Sequence, residues 1–111
     1  MTLVIGGAAS GKREYVKSLG YAEDAIAGGI LDEKPVLDKL QALAARRPDA
    51  DLLPALLEKE VIICDEVGCG VVPLDPVERA LRERVGRLCV RLAEKADRVV
   101  RVSCGIPAVL K

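Results

Sequence analysis

The sequence contains no histidine, no phenylalanine and no tryptophan. The lack of histidine excludes, within this chain, every mechanism that needs an imidazole base or nucleophile. It also leaves a zinc site only thiolates and carboxylates as ligands. With Tyr15 and Tyr21 as the two aromatic residues, the core has to be aliphatic. An excess of either charge is missing too: 17 basic side chains face 17 acidic ones. That balance exerts no global pull towards nucleic acid or an acidic membrane, so no nucleic-acid partner is expected. No apolar run approaches the roughly 18 residues of a membrane span. The N-terminal apolar stretch is short and has no basic leader, so it is not read as a signal peptide. Cys64, Cys69, Cys89 and Cys104 form no C-x-x-C pair, and they read as reduced thiols of a cytoplasmic protein.

What is present suits a single domain over residues 1–111, half of it hydrophobic. Thr2 to Ile5 is an apolar run closed by Gly6 and Gly7, which predicts a buried strand. A helix should follow from Gly11 to about Ser18, with Tyr15, Val16 and Leu19 turned inward and Gly20 stopping it. The stretch around Ala25 to Ala27 reads either as a short strand or as a loop. Val36, Leu37, Leu40, Leu43 and Ala44 fall on one stripe of an amphipathic helix that ends near Pro48. A short helix after Asp51 tolerates Pro54 in its first turn. Val61 to Ile63 is β-branched throughout, the mark of a strand covered on both faces. Asp75 and Pro76 open a long helix whose apolar positions run Val77, Ala80, Leu81, Val85, Leu88, Cys89, Leu92, Ala93 and Ala96. Val99 to Cys104 reads as a last strand. This alternation predicts an α/β layered fold with a small, mostly parallel sheet. Ligands of such sheets bind beyond the carboxyl ends of the strands.

Two motifs fall there. Gly6, four residues, Gly11 and Lys12 make the G-x-x-x-x-G-K part of a phosphate-binding loop, with Gly7, Ala8, Ala9 and Ser10 between. Its glycines let the backbone curl so that N–H groups face an anion, and Lys12 reaches the terminal phosphates. The loop stands where the pattern requires, between a strand and a helix. The next position calls for Ser or Thr, whose hydroxyl would hold magnesium, but it is Arg13. Two readings of Arg13 are open: it helps to hold phosphate, or it points to solvent. The second motif is Asp65-Glu66 at the end of the apolar strand. Such a pair suits magnesium coordination and base chemistry in nucleotide-hydrolysing folds; the plainer reading is two solvated acids at a strand end. A bound metal would have to be held by Asp65, Glu66, Ser10 or the phosphates themselves. The catalytic candidates are Lys12, Asp65 and Glu66, and Arg13 joins the loop as a nucleotide-binding candidate.

The second half of the chain resembles the C-terminal part of the adenosylcobinamide kinase/adenosylcobinamide-phosphate guanylyltransferase family. That resemblance rests on Glu66, Val67, Gly68, Gly70 and Pro73, on the long helix, on Ala96-Asp97, and on the closing S-C-G-I-P-A-V-L-K. The start, G-G-A-A-S-G-K-R-E-Y, is similar to the same family's loop. The resemblance implies a P-loop NTPase-like three-layer fold and a role in cobalamin assembly. It further implies GTP or ATP as the nucleoside triphosphate, a corrinoid substrate and a homo-oligomer. Family enzymes phosphorylate a corrinoid side-chain hydroxyl and then transfer GMP through a covalent histidine intermediate. Here the chain is short, residues 20 to 60 offer no alignable counterpart of the family's middle region, and no histidine is present. The expectation is therefore a kinase-like protein without the histidine-dependent step. A non-catalytic nucleotide-binding or scaffold protein of corrinoid metabolism is the alternative.

Overall fold

The computed structural model describes residues 1–48, 50–66 and 75–111. The motif positions Val67, Gly68, Gly70 and Pro73, and Cys69 with them, lie outside the described residues.

Among the described residues six strands form one sheet: β1 (Thr2–Gly6), β2 (Ile26–Gly28), β3 (Val36–Asp38), β4 (Val61–Asp65), β5 (Arg98–Ser103) and β6 (Ile106–Val109). Their spatial order is β2-β3-β4-β1-β5-β6. Every pairing is parallel except β5 with β6, which close as an antiparallel hairpin. Among the described residues four α-helices connect them, α1 (Lys12–Ser18), α2 (Leu40–Arg46), α3 (Leu53–Leu57) and α4 (Pro76–Lys95), with a 3-10 turn at Glu23–Ala25. The α/β, mostly parallel expectation holds.

Alternation along the strands separates two cores, as a pleated sheet covered on both faces demands. Leu3, Leu37, Ile62, Cys64 and Val99 face one side, where Leu40, Leu43, Leu56, Val85 and Leu92 of α2, α3 and α4 cover them. Val4, Val36, Val61, Ile63, Val100 and Val102 face the other, under Val16 of α1, with Tyr15 and Tyr21 at its border. The layers are therefore helix, sheet, helix.

Four expectations need correcting. The helix foreseen from Val36 to Ala44 is a strand followed by a helix. Val36 and Leu37 are both fully buried because they face opposite cores. A strand of three residues is too short to break a 3.6-residue pattern, so it joined the stripe of α2. The break falls at Lys39, whose φ of 57° is left-handed; its N–H is held by Asp38 Oδ1 at 2.7 Å. Leu19 caps α1 half exposed rather than facing inward. Val77 and Ala80 face solvent in the first turns of α4, and inward packing begins at Leu81. The hairpin strand β6, all four residues exposed, was not foreseen. Other readings stand. Asp75 accepts from Val77 N at 2.9 Å and caps α4, Pro54 sits in the first turn of α3, and the ambiguous stretch is the short strand β2. Among the described residues no helix is long and apolar enough to cross a membrane.

Ile62, at the centre of β4, is fully buried between the α2–α3–α4 layer and its strand neighbours. Ile62→Ala should therefore destabilise the protein by about 2–5 kcal/mol. A urea titration showing the midpoint unmoved would contradict this account of the core.

Candidate nucleotide site

β1 and β4 lie side by side with Gly6 opposite Asp65. That register brings the two motifs together at the carboxyl end of the sheet. The junction is tied by Glu66 N donating to Gly6 O at 2.7 Å. The glycine loop then passes through two left-handed residues, Ala9 (φ 56°) and Gly11 (φ 96°), before α1 begins. Gly6 has to be glycine: a Cβ there would lie 2.4 Å from Val102 O. On the outer side the β5–β6 turn supports the loop, with Gly105 N donating to Ser10 O at 2.8 Å.

Lys12 is buried, and its ammonium donates to Gly7 O at 2.6 Å and pairs with Asp65 Oδ1 at 2.8 Å. Asp65 is about half-exposed, so the pair sits at the mouth of the site. Gln41 of α2 braces the end of β4, with Asp65 N reaching its Oε1 at 3.4 Å. The hydroxyl of Ser10 is buried with no hydrogen-bond partner among the described residues. These groups surround a cavity of about 250 Å³, lined by Lys12, Arg13, Asp38, Gln41 and Asp65 together with the loop.

Arg13 lines the cavity and is engaged by carboxylates rather than left to solvent. Its guanidinium turns to Asp38 Oδ2, at 2.7 Å, and to Glu23. Lys17 pairs with the same Glu23. The hydrogen bonds from Lys17 and then Arg13 hold the Glu23 carboxyl down at about 2, and those to Glu23 and Asp38 raise Arg13 further. Arg13 is thus a clamp between α1, the turn before β2 and the end of β3.

Glu66 does not share the cavity with Asp65; it pairs with Arg101 of β5 at 3.1 Å. Among the described residues, no three histidine, cysteine, aspartate or glutamate side chains gather as a metal centre. For a magnesium ion carried by a triphosphate, the cavity offers the Asp65 carboxylate and the unpartnered Ser10 hydroxyl. The position after Lys12 offers a cation instead of a ligand.

Asp38 is the site residue that sequence reasoning missed. It is buried, ends an apolar strand as Asp65 does, and lines the same cavity. The signal was there in Val36-Leu37-Asp38, but the helix reading of that stretch concealed it. Cys64, Cys89 and Cys104 are free thiols. The Cys64 thiol is pushed up by its hydrogen bond with Cys89 and by burial.

A glycine loop between strand and helix, its lysine paired with the acid of the neighbouring parallel strand, defines a P-loop type of α/β protein. Comparison with known proteins makes this particular. The family described as "Cobinamide kinase / cobinamide phosphate guanyltransferase" matches residues 26–110, and the chain belongs to that family. It is also similar to the "Bifunctional adenosylcobalamin biosynthesis protein CobU" of Salmonella typhimurium, with 37% identity over 79 residues. The similarity covers 71% of this chain and 40% of that relative. The family match includes β2, β3 and α2, in the stretch where the motifs alone suggested no counterpart. It begins after the glycine loop, so the loop stands on its own geometry.

The Glu23 cluster generates a test with a definite sign. Because the folded carboxyl is held below its ordinary 4.5, its contribution is present above that value and is lost as pH falls towards about 2. Glu23→Gln should lower the melting temperature at pH 7, and the gap from wild type should narrow between about pH 4.5 and 2. A gap constant across that window, by scanning calorimetry, would show that the cluster contributes nothing.

Proposed function

We propose that the chain binds a nucleoside triphosphate through Gly6, Gly7, Ala8, Ala9, Ser10, Gly11 and Lys12. We further propose that it transfers the terminal phosphoryl group to a corrinoid side-chain hydroxyl in cobalamin biosynthesis. The observation that carries this reading is the buried Lys12, set between the loop's own Gly7 carbonyl and Asp65. Membership of the cobinamide kinase family, together with the relative's printed name, supplies the substrate class.

In the proposed reaction the hydroxyl oxygen forms the new bond to phosphorus. The bond from phosphorus to the bridging oxygen breaks, and a nucleoside diphosphate leaves. Lys12 exchanges Asp65 for phosphate oxygens and offsets the charge that spreads over them. The released Asp65 carboxylate is within reach of the cavity to accept the hydroxyl proton. Where a magnesium ion accompanies the triphosphate, Asp65 and Ser10 would hold it and it would supply further charge neutralisation, the hydroxyl proton then passing to water instead of Asp65. Glu66 fixes the strand end through Gly6 and Arg101 rather than reaching the cavity. GTP and ATP are both compatible with the phosphate end.

The guanylyltransferase half of the family's activity needs a nucleophile for GMP, and this chain has no histidine. We therefore assign it the kinase reaction alone. One observation favours a second reading, a nucleotide-binding protein without turnover: Arg13 occupies the hydroxyl's place and is held by two acids. Steady-state assay of phosphoryl transfer from GTP and ATP to adenosylcobinamide decides between the two.

Lys12→Ala should weaken triphosphate binding by about 1.5–3 kcal/mol, the loss of a charge-assisted bond to phosphate. Calorimetry in which folded wild type takes up no nucleotide sinks the proposal. Incubation with labelled GTP should leave no acid-labile phosphoramidate on the protein. Mass spectrometry finding such an adduct would refute the kinase-only assignment.

A further inference from the structure

A second cavity adjoins the first on the far side of the glycine loop. It measures about 680 Å³ and lies between α1 and the β5–β6 hairpin, within the range that holds small organic ligands. Ala9, Glu14, Tyr15, Ser18, Gly105 and Pro107 line it. Ala9, Gly11 and Glu14 line both cavities, so the two meet over the crest of the loop.

Their chemistry differs. The first cavity is lined by three cations, Lys12, Arg13 and Lys39, set among three carboxylates, Glu14, Asp38 and Asp65. The second has no cation in its lining; its one charged side chain is Glu14 and its ring is Tyr15. Glu14 is exposed, and its carboxylate, unlike those of Glu23, Asp38 and Asp65, has no ion-pair partner among the described residues. With no cation to offset that carboxylate, this end of the double cavity does not suit the phosphate chain, whereas Lys12, Arg13 and Lys39 offset the acids of the first. Its two oxygens accept a pair of neighbouring neutral donors, while Tyr15, Ala9 and Pro107 offer apolar surface to a flat ring.

Resting on the nucleotide reading above, we infer that the second cavity takes the nucleoside half of the ligand. Glu14 is then the residue that selects it, accepting from two adjacent neutral N–H or O–H donors. A guanine edge, with its N1–H and exocyclic N–H, offers such a pair. So does the cis-diol of a ribose. The corresponding edge of adenine offers one donor beside an acceptor, which a carboxylate repels. The loop places the two cavities so that one molecule spans both: phosphates against Lys12, nucleoside against Glu14.

The test is calorimetric titration of wild type, Glu14→Ala and Glu14→Gln with inorganic tripolyphosphate, GDP, ADP and 2′-deoxy-GDP. Wild type should bind GDP at least about tenfold more tightly than tripolyphosphate. Glu14→Ala should weaken GDP about tenfold or more while binding tripolyphosphate no more weakly than wild type, with Glu14→Gln falling between. A loss shared by GDP and 2′-deoxy-GDP that spares ADP assigns the carboxylate to guanine. A loss shared by GDP and ADP that spares 2′-deoxy-GDP assigns it to the ribose. The inference is overturned if Glu14→Ala leaves GDP unaffected, or weakens tripolyphosphate as much as GDP. It also fails if GDP binds no more tightly than tripolyphosphate, an outcome that leaves the phosphate site standing. Failure of all four ligands on folded wild type removes both the inference and the nucleotide reading beneath it.

Discussion

The parallel pairing of β1 with β4 is the constraint on which the molecule depends. It is set by two largely apolar runs, Leu3 to Ile5 and Val61 to Cys64, whose side chains alternate into the cores on both faces of the sheet. Once they pair in register, Gly6 and Asp65 are opposite each other without any further device. The glycine loop leaves one strand and the acid ends the other. The lysine of the loop then finds its counter-charge across a single strand spacing. β5 on the other side of β1 completes the support, because its far end turns through Gly105 against Ser10. The site is therefore a by-product of the sheet's order, and its precision is that of the central strands.

How much of this was legible in the sequence follows from the length scale of each signal. β1, β4 and α4 were readable because each is a long or chemically uniform run: Thr2 to Ile5, Val61 to Ile63, and apolar steps of three and four from Leu81 onward. The loop was readable because glycine and lysine spacing is a local property. β3 was not, since three residues carry no period of their own and the adjoining helix absorbed them. β6 is exposed along its length, so it has no burial pattern to find; its place depends on pairing with β5. Partnership across the fold was the other blind spot. Arg13 could be recognised as a departure from the motif, but its partners Glu23 and Asp38 lie 10 and 25 residues further along the chain. Asp38 was hidden for both reasons at once.

Arg13 shows how a charge that opposes its local setting is accommodated. A cation in the first turn of a helix is disfavoured by the backbone dipole. Here two carboxylates from outside the helix surround it, and Lys17 of the same helix shares one of them. Asp38 is nearly buried, and a buried carboxylate needs just such a partner. The substitution and the acids form one unit, which links the start of α1 to the sheet edge at β2 and β3. Altering one member leaves the others with uncompensated charge.

Lys12 is engaged before any ligand arrives, bonded at once to a carbonyl of its own loop and to Asp65. Association with an anion at this site is then an exchange of partners rather than the neutralisation of a free charge. The dehydration of the ammonium has already taken place during folding, and the ligand has only to out-compete an existing carboxylate. Much of the gross attraction therefore cancels between the two states. What remains is a difference, sensitive to the geometry of each pair, and it is accompanied by the return of one carboxylate to water. The same contact to Gly7 O ties the loop in its curled form.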